Sequence, residues 1–264
     1  MTTPAVSVLM AVHNGAPWVA EAVRSVLTQS LGDLELIVVD DGSTDATAAI
    51  LAAERDARLS VERQPRAGLT RSLNRALARA RAPLLARLDA DDAALPERLA
   101  RQHAFLMTHP GVGLLGTGAR EVDVRGLEIR LIRPPEEDGA IRHVLIRRNP
   151  FVHSAVMMRR DLVEQVGGYD ASFPVAQDYD LWLRLSGVTQ MANLPEPLVV
   201  RRLVPGRVTL ERDSERLRAE ARARWRAIRR RTYPWWGVAF VLRPALVAAL
   251  PSPVRALLRR TRER

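Results

Sequence analysis

The sequence predicts an α/β fold: a twisted, mixed but mostly parallel sheet flanked by helices, followed by a basic helical C-terminal extension. Three observations carry this. Residues 5–12 (AVSVLMAV) and 34–39 (LELIVV) are near-continuous apolar runs, the pattern of parallel strands covered on both faces. Between them Trp18, Val19, Ala22, Val23, Val26 and Leu27 recur at helical spacing. Carboxylates then collect where apolar runs stop, Asp40-Asp41 after LELIVV and Asp89-Ala90-Asp91-Asp92 after PLLARL. Strands alternating with helices place ligands at the carboxyl ends of the strands.

The remaining elements follow in order. A second helix begins after Asp45, with Ala48, Ile50 and Leu51 on its apolar side. A strand near Leu59–Glu62 and a helix over Leu69–Arg81 come next, and the strand Leu84–Leu88 delivers Asp89. Pro96-Glu97 opens a helix, with proline in the first turn where its missing N–H costs nothing. That helix ends near His109, before Pro110. After a strand at Val112–Gly116 the rhythm changes, and REVDV and LEIRL flank Arg125-Gly126 as a hairpin. A helix near 137–148 and a strand near 151–158 lead to GGYD, and a further helix opens at Asp178. A main domain over residues 1–205, with halves 1–117 and 118–205, precedes a tail at 206–264.

Size and composition narrow the class. A chain of 264 residues can bury about three quarters of the surface its unfolded form exposes. It has no cysteine, which excludes disulfides, thiolate metal sites and thiol nucleophiles and fits a reducing compartment. The segment MTTPAVSVLMAVHN has no basic stretch before its short apolar run and reads as the first strand, so a cytoplasmic location is expected. The formal charge is +10, and all 40 basic residues are arginine. Codon bias is the simplest reading of the preference over lysine, yet the planar guanidinium suits phosphate and carboxylate partners.

Arginine exceeds acid most in residues 212–264. Residues 209–232 read as a charged helix with a thin apolar stripe of Leu210, Leu217, Ala221, Trp225 and Ile228. The following apolar stretch is shorter than the roughly 20 residues that span a bilayer and is interrupted by Arg243-Pro244. It can lie in an anionic membrane interface, anchored by Trp235 and Trp236, or pack on its own domain or on a second copy in a homodimer. Nucleic acid is not an expected partner, because no aromatic stacking platform accompanies the arginines.

Carboxylates at strand ends are costly to desolvate and usually serve a cation, a ligand or a reaction. They point to an enzyme handling a phosphate-bearing, metal-chelated substrate. At VSVLMAVHNG, ELIVVDDGSTD, ARLDADD with LPERL, and GGYD with QDYDLWLRL, the chain resembles glycosyltransferase family 2 in both motif order and spacing. The resemblance covers roughly residues 5–203 and implies a GT-A fold, with residues 1–117 binding nucleotide and 118–205 facing the acceptor. No QxxRW-like segment follows Asp178, which argues against a processive synthase.

The resemblance implies roles residue by residue. Asp41 contacts the base, since an ionised carboxylate only accepts and suits the N3–H of uracil or thymine; helix capping accounts for one of Asp40 and Asp41 at most. Ala11, His13 and Asn14 stand where relatives carry Pro-x-Tyr-Asn, so histidine replaces an aromatic ring beside the base; a capping Asn14 is the alternative. Gly68 and Arg71 border the nucleotide. Asp89 faces the donor ribose or sugar, and Asp91 binds Mg²⁺ or Mn²⁺, whose oxygen-ligand preference fits carboxylates. Asp178, preceded by Gln177, is the base that deprotonates the acceptor hydroxyl, or else an N-cap of its helix. His153 touches acceptor or phosphate, or is structural. The donor is a UDP-, dTDP- or GDP-linked sugar, and the acceptor a glycan or lipid-linked hydroxyl of the cell envelope. The alternative is a catalytically degenerate nucleotide-sugar binder that docks on a membrane complex.

Overall fold

The computed structural model describes residues 3–204 and 213–242. In chain order the first half comprises β1 (Val6–Val12), α1 (Val19–Leu27), β2 (Leu34–Asp41), α2 (Thr47–Ala53), β3 (Leu59–Gln64), α3 (Leu69–Arg79), β4 (Leu84–Arg87), β5 (Ala93–Ala94) and α4 (Arg98–Thr108). The second half comprises β6 (Val112–Val122), β7 (Glu128–Ile132), α5 (Asp138–Leu145), β8 (Met157–Arg159), α6 (Arg160–Gln165), α7 (Gln177–Leu185), β9 (Gln190–Arg202) and α8 (Asp213–Arg229).

One sheet runs β3-β2-β1-β4-β8-β6-β9-β5, with β7 paired to β6. Strands β3, β2, β1 and β4 are parallel, β8 is inserted antiparallel between β4 and β6, and β9 runs parallel to β6. The apolar runs are continuous because β1 and β2 are covered on both faces. Val8, Met10, Leu36 and Val38 pack toward α1, while Leu9, Ala11, Ile37 and Val39 face α3 and α7. Full burial of each large aliphatic side chain contributes about 1.5–3 kcal/mol relative to exposure.

Several expectations are corrected. The strand expected at 151–158 is a 3₁₀ turn, His153–Ala155, and then the three-residue β8. Val112–Gly116 and the first three residues of REVDV are one strand, β6, whose glycines admit close neighbours: a Cβ at Gly118 would sit 2.9 Å from the carbonyl oxygens of Ile132 and Pro195. The hairpin beyond it forms as expected, with Asp123 Oδ1 accepting from the backbone N–H groups of Arg125 and Leu127. Strand β9 contains Pro195 and Pro197, and its register to β6 shifts at Gly118, so it lacks an ordinary strand pattern.

In the tail, Leu217 and Ala221 of α8 are buried as the stripe requires, but Trp225 is 45% exposed. Arg224 takes the inward position instead, with Ala219, Ala223 and Ala227 in the same core as α7. Trp235 and Trp236 begin a short 3₁₀ turn, and Trp235 is 81% exposed. Leu210, Arg243 and Pro244 lie outside the described residues. No helix among the described residues is long and apolar enough to cross a membrane.

Candidate active site

The ends of β1, β2 and β4 lie side by side, because Val12 pairs with Asp40 and β1 also pairs with β4. The two aspartates at the end of β2 have different tasks. Asp40 Oδ1 accepts from the Ser43 backbone N–H at 2.9 Å and shapes the turn. Asp41 accepts from Gln64 Nε2 at 2.7 Å, Ala67 N at 2.7 Å and Gly68 N at 2.8 Å. Burial alone would raise the Asp41 carboxyl; these hydrogen bonds outweigh it and hold the group below the usual carboxylate range. Two of the bonds fall on Oδ1 and one on Oδ2, and Ser72 adds a further hydrogen bond that favours the charged form.

The neighbouring expectations resolve unevenly. His13 Nδ1 lies 2.9 Å from the Asp41 carbonyl oxygen, to which it donates. Asn14, at φ 53°, accepts from Thr44 N at 2.8 Å, and its own N–H donates to Ser43 Oγ. It therefore straps the ends of β1 and β2 together. Ala11 is a buried methyl in the sheet core and offers only backbone to the site. Gly68 is held against Asp41, while Arg71 stands exposed on the first turn of α3.

Beyond β4 the carboxylates crowd. Ligand oxygens of Asp89, Asp91 and Asp92 all lie within 4.8 Å of one another. Asp89 Oδ1 is ion-paired to Arg87, whose side chain is wholly buried. Asp89 Oδ2 accepts from Ser154 Oγ at 2.7 Å, and Ser154 Oγ also contacts Asp92 Oδ2. A serine hydroxyl has one proton, so these contacts are satisfied together when Asp92 is neutral and donates to Ser154. Burial, with the charges of Asp89 and Asp91 added, pushes Asp92 up to about 7. Asp92 also accepts from Arg202 N at 2.8 Å, and the Arg202 guanidinium donates to the Asp91 carbonyl and stacks 4.3 Å from the Trp18 ring centroid. Asp92 is thus a buried strut.

The second half of the chain closes the site. Gly167 and Gly168, both at positive φ, turn the chain so that Asn74 of α3 clasps the Tyr169 backbone, accepting from its N–H at 2.9 Å and donating to its carbonyl at 2.6 Å. Tyr169 Oη is 3.0 Å from His153 Nε2. Burial, then the Arg87 charge, pushes His153 down to about 3, so it is neutral and is no cationic phosphate ligand. The N-cap of α7 is Ala176, at φ 55°, which removes the capping role considered for Asp178. Asp178 Oδ2 accepts from Asn149 Nδ2 at 2.8 Å. Burial pushes Asp178 above the usual range and the Asp89 charge adds to this, while the Tyr179 N–H and Asn149 oppose it. Gln177 is buried beside it, and Asp180 is paired with Arg184 at 2.8 Å.

Arg87, Ser154, Asn149, Tyr169 and Arg202 complete the site and were not singled out from sequence. Arg87 carried a signal there as a charge inside the run PLLARL, and Tyr169 as part of GGYD. Oxygen-only donors in a tight group, with charge crowding that a cation relieves, fit a hard divalent ion on Asp91 and its neighbours.

This architecture is that of the GT-A fold. A family model described as glycosyl transferase family 2 matches residues 7–167. The putative glycosyltransferase EpsE of Bacillus subtilis is 35% identical over 187 residues, which span 69% of this chain and 66% of the relative. The O-antigen biosynthesis glycosyltransferase WbnJ of Escherichia coli is 31% identical over 183 residues, spanning 68% and 71%. S. aureus TarS in complex with UDP-GlcNAc is similar at a TM-score of 0.68 and 21% identity, covering 83% of this chain and 66% of TarS. Mannosyltransferase PcManGT from Pyrobaculum calidifontis, in complex with GDP-Man and Mn²⁺, gives 0.62 at 22% identity, covering 100% and 81%. The chain belongs to glycosyl transferase family 2.

Proposed function

We propose that the chain is a non-processive, inverting glycosyltransferase that moves one sugar from a nucleoside diphosphate to a hydroxyl acceptor in envelope polysaccharide synthesis. UDP or dTDP is favoured over GDP as carrier, because the ionised Asp41 carboxylate only accepts and suits the single N3–H of uracil or thymine. The observation that carries the reading is the approach of two differently tuned carboxylate groups. Asp89 and its neighbours sit at the end of β4, and Asp178 lies close enough for the Asp89 charge to raise it.

The reaction is a single displacement. The acceptor hydroxyl oxygen attacks the anomeric carbon, the bond to the diphosphate breaks, and the hydroxyl proton passes to the Asp178 carboxylate. A carboxylate raised by burial is a stronger base than a solvated one, which suits that task. Asp91, with Asp89 beside it, would hold Mg²⁺ or Mn²⁺, which when bound would supply positive charge to stabilise the leaving diphosphate. Arg87 holds Asp89 in place by its ion pair, Asp41 and Gly68 hold the base, and neutral His153 is hydrogen-bonded to Tyr169. Relatives named for O-antigen and amylovoran biosynthesis support an envelope glycan or lipid-linked acceptor. Exposed Trp235 and Trp236, within the arginine-rich 206–264, support peripheral attachment to anionic membrane.

The test is slow release of nucleoside diphosphate from a panel of sugar nucleotides with Mn²⁺. Release from one donor, lost in Asp91→Ala, is expected. Tight binding with no release, even after acceptor glycans are added, would leave a sugar-nucleotide binder; absence of both would sink the carboxylate reading.

A further inference from the structure

Strand β7 is an open edge. It pairs with β6 on one side, and among the described residues nothing pairs with its other side. Its solvent face is apolar: Leu127, Ile129 and Leu131 alternate along the chain and are 65%, 52% and 42% exposed. The opposite face carries Glu128 and Arg130, and Arg130 is also ion-paired to Glu121 of β6. No proline interrupts this edge, and its two charges, Glu128 and Arg130, are of opposite sign rather than a like-charged set that would repel a second copy.

We propose that β7 pairs antiparallel with β7 of a second copy, about a twofold axis through Ile129. The sequence is self-complementary in that register. Opposed residues of an antiparallel pair share a face, so the axis must pass through a residue of the strand. An axis at Glu128 would set Glu128 against Glu128, and one at Arg130 would set Arg130 against Arg130. Through Ile129, Glu128 of each copy faces Arg130 of the other, Leu127 faces Leu131, and Ile129 faces itself. Opposite charges and apolar pairs directly across a strand pair are stabilising, and like charges there are not. A pair of five-residue strands is smaller than the roughly 1,200–2,000 Å² of a standard interface, so the dimer is expected to depend on concentration. The inference does not depend on the reaction proposed above.

The chain has no cysteine, which makes the register directly readable. Sedimentation equilibrium of the full chain is expected to show a monomer–dimer equilibrium, shifted to monomer by Glu128→Arg with an unchanged melting temperature. Ile129→Cys is expected to crosslink on mild oxidation, since opposed Cα atoms about 4.5–5.5 Å apart suit a disulfide. Leu127→Cys is expected not to, because the two copies of residue 127 lie four residues apart, about 13 Å along the strand. A monomer at the highest soluble concentration overturns the proposal and leaves this edge to another part of the chain or to a different partner. Crosslinking of Leu127→Cys as readily as Ile129→Cys overturns the register.

Discussion

Asn149 donates a 2.8 Å hydrogen bond to Asp178 Oδ2, which favours the charged form of this buried carboxylate. Burial works in the other direction and is the larger effect. The balance between them sets how much of Asp178 is ionised at a given pH, and so how much base is ready.

Replacing Asp178 with asparagine therefore separates activity from stability. Turnover is expected to fall by about 10²–10⁴, the usual contribution of a positioned base. For stability the sign is opposite: the folded Asp178 carboxyl is raised, so its contribution is full below its unfolded value and is lost as pH rises through the folded value. At mildly alkaline pH Asp178→Asn is expected to melt above the wild type, with the gain shrinking as pH falls. Calorimetry across pH checks this; a variant less stable than wild type at alkaline pH would contradict it. Asn149→Ala should move the acid limb of kcat to higher pH while the donor KM stays put.

Asp92 offers a second pH effect. Its folded value of about 7 lies above the ordinary 3.8, so its contribution is complete in acid and is lost as pH rises through about 7. Metal-free protein is expected to lose melting temperature over that interval, and Asp92→Asn to flatten the loss. Millimolar Mn²⁺ should raise the melting temperature of the wild type but not of Asp91→Ala, by ordinary linkage of ligand binding to stability.

Asp41→Asn tests the base site. The Asp41 carboxyl is lowered in the folded state, so its contribution is present above its unfolded value and lost as pH falls through the folded one. An amide presents two donors where Gln64, Ala67 and Gly68 already donate. A loss of about 1–3 kcal/mol at neutral pH is expected, from hydrogen bonds to a charged group, together with weaker UDP binding by calorimetry. Unchanged UDP affinity in a folded Asp41→Asn would remove Asp41 from the base site.

How legible the site was depended on what each residue's neighbours in sequence revealed. Asp41 and Asp89 could be found because each ends an apolar run, and a run covered on both faces has few other readings. Asn149 and Ser154 could not: each sits in a short turn, and each acts on a carboxylate 29 or more residues away. Strand β9 was hidden by its prolines and by a register that breaks against Gly118. The tail misled for a related reason. Helical spacing marked Trp225 as inward, whereas α8 buries small alanines and one arginine against α7.

That arginine gives the last prediction. Arg224 is buried on α8 and donates from Nε to Tyr179 Oη at 2.8 Å and from Nη2 to the Arg147 carbonyl at 2.9 Å, with Glu220 at 3.1 Å. Tyr179 follows Asp178 on α7, and Arg147 stands two residues before Asn149. One guanidinium thus ties the tail helix to both sides of the Asn149–Asp178 hydrogen bond. Removing one partner of a buried charged network costs on the order of 3 kcal/mol, so Arg224→Ala should melt well below the wild type. Below its melting range it should show reduced kcat with little change in donor KM, because Asp41 and the β4 carboxylates are untouched. Arg224→Lys can replace one of these contacts but not the fork, and should recover part of the loss. Trp225→Ala, one residue along on the exposed face, should change neither quantity. Equal effects at 224 and 225 would mean that α8 acts through its bulk rather than through this tie.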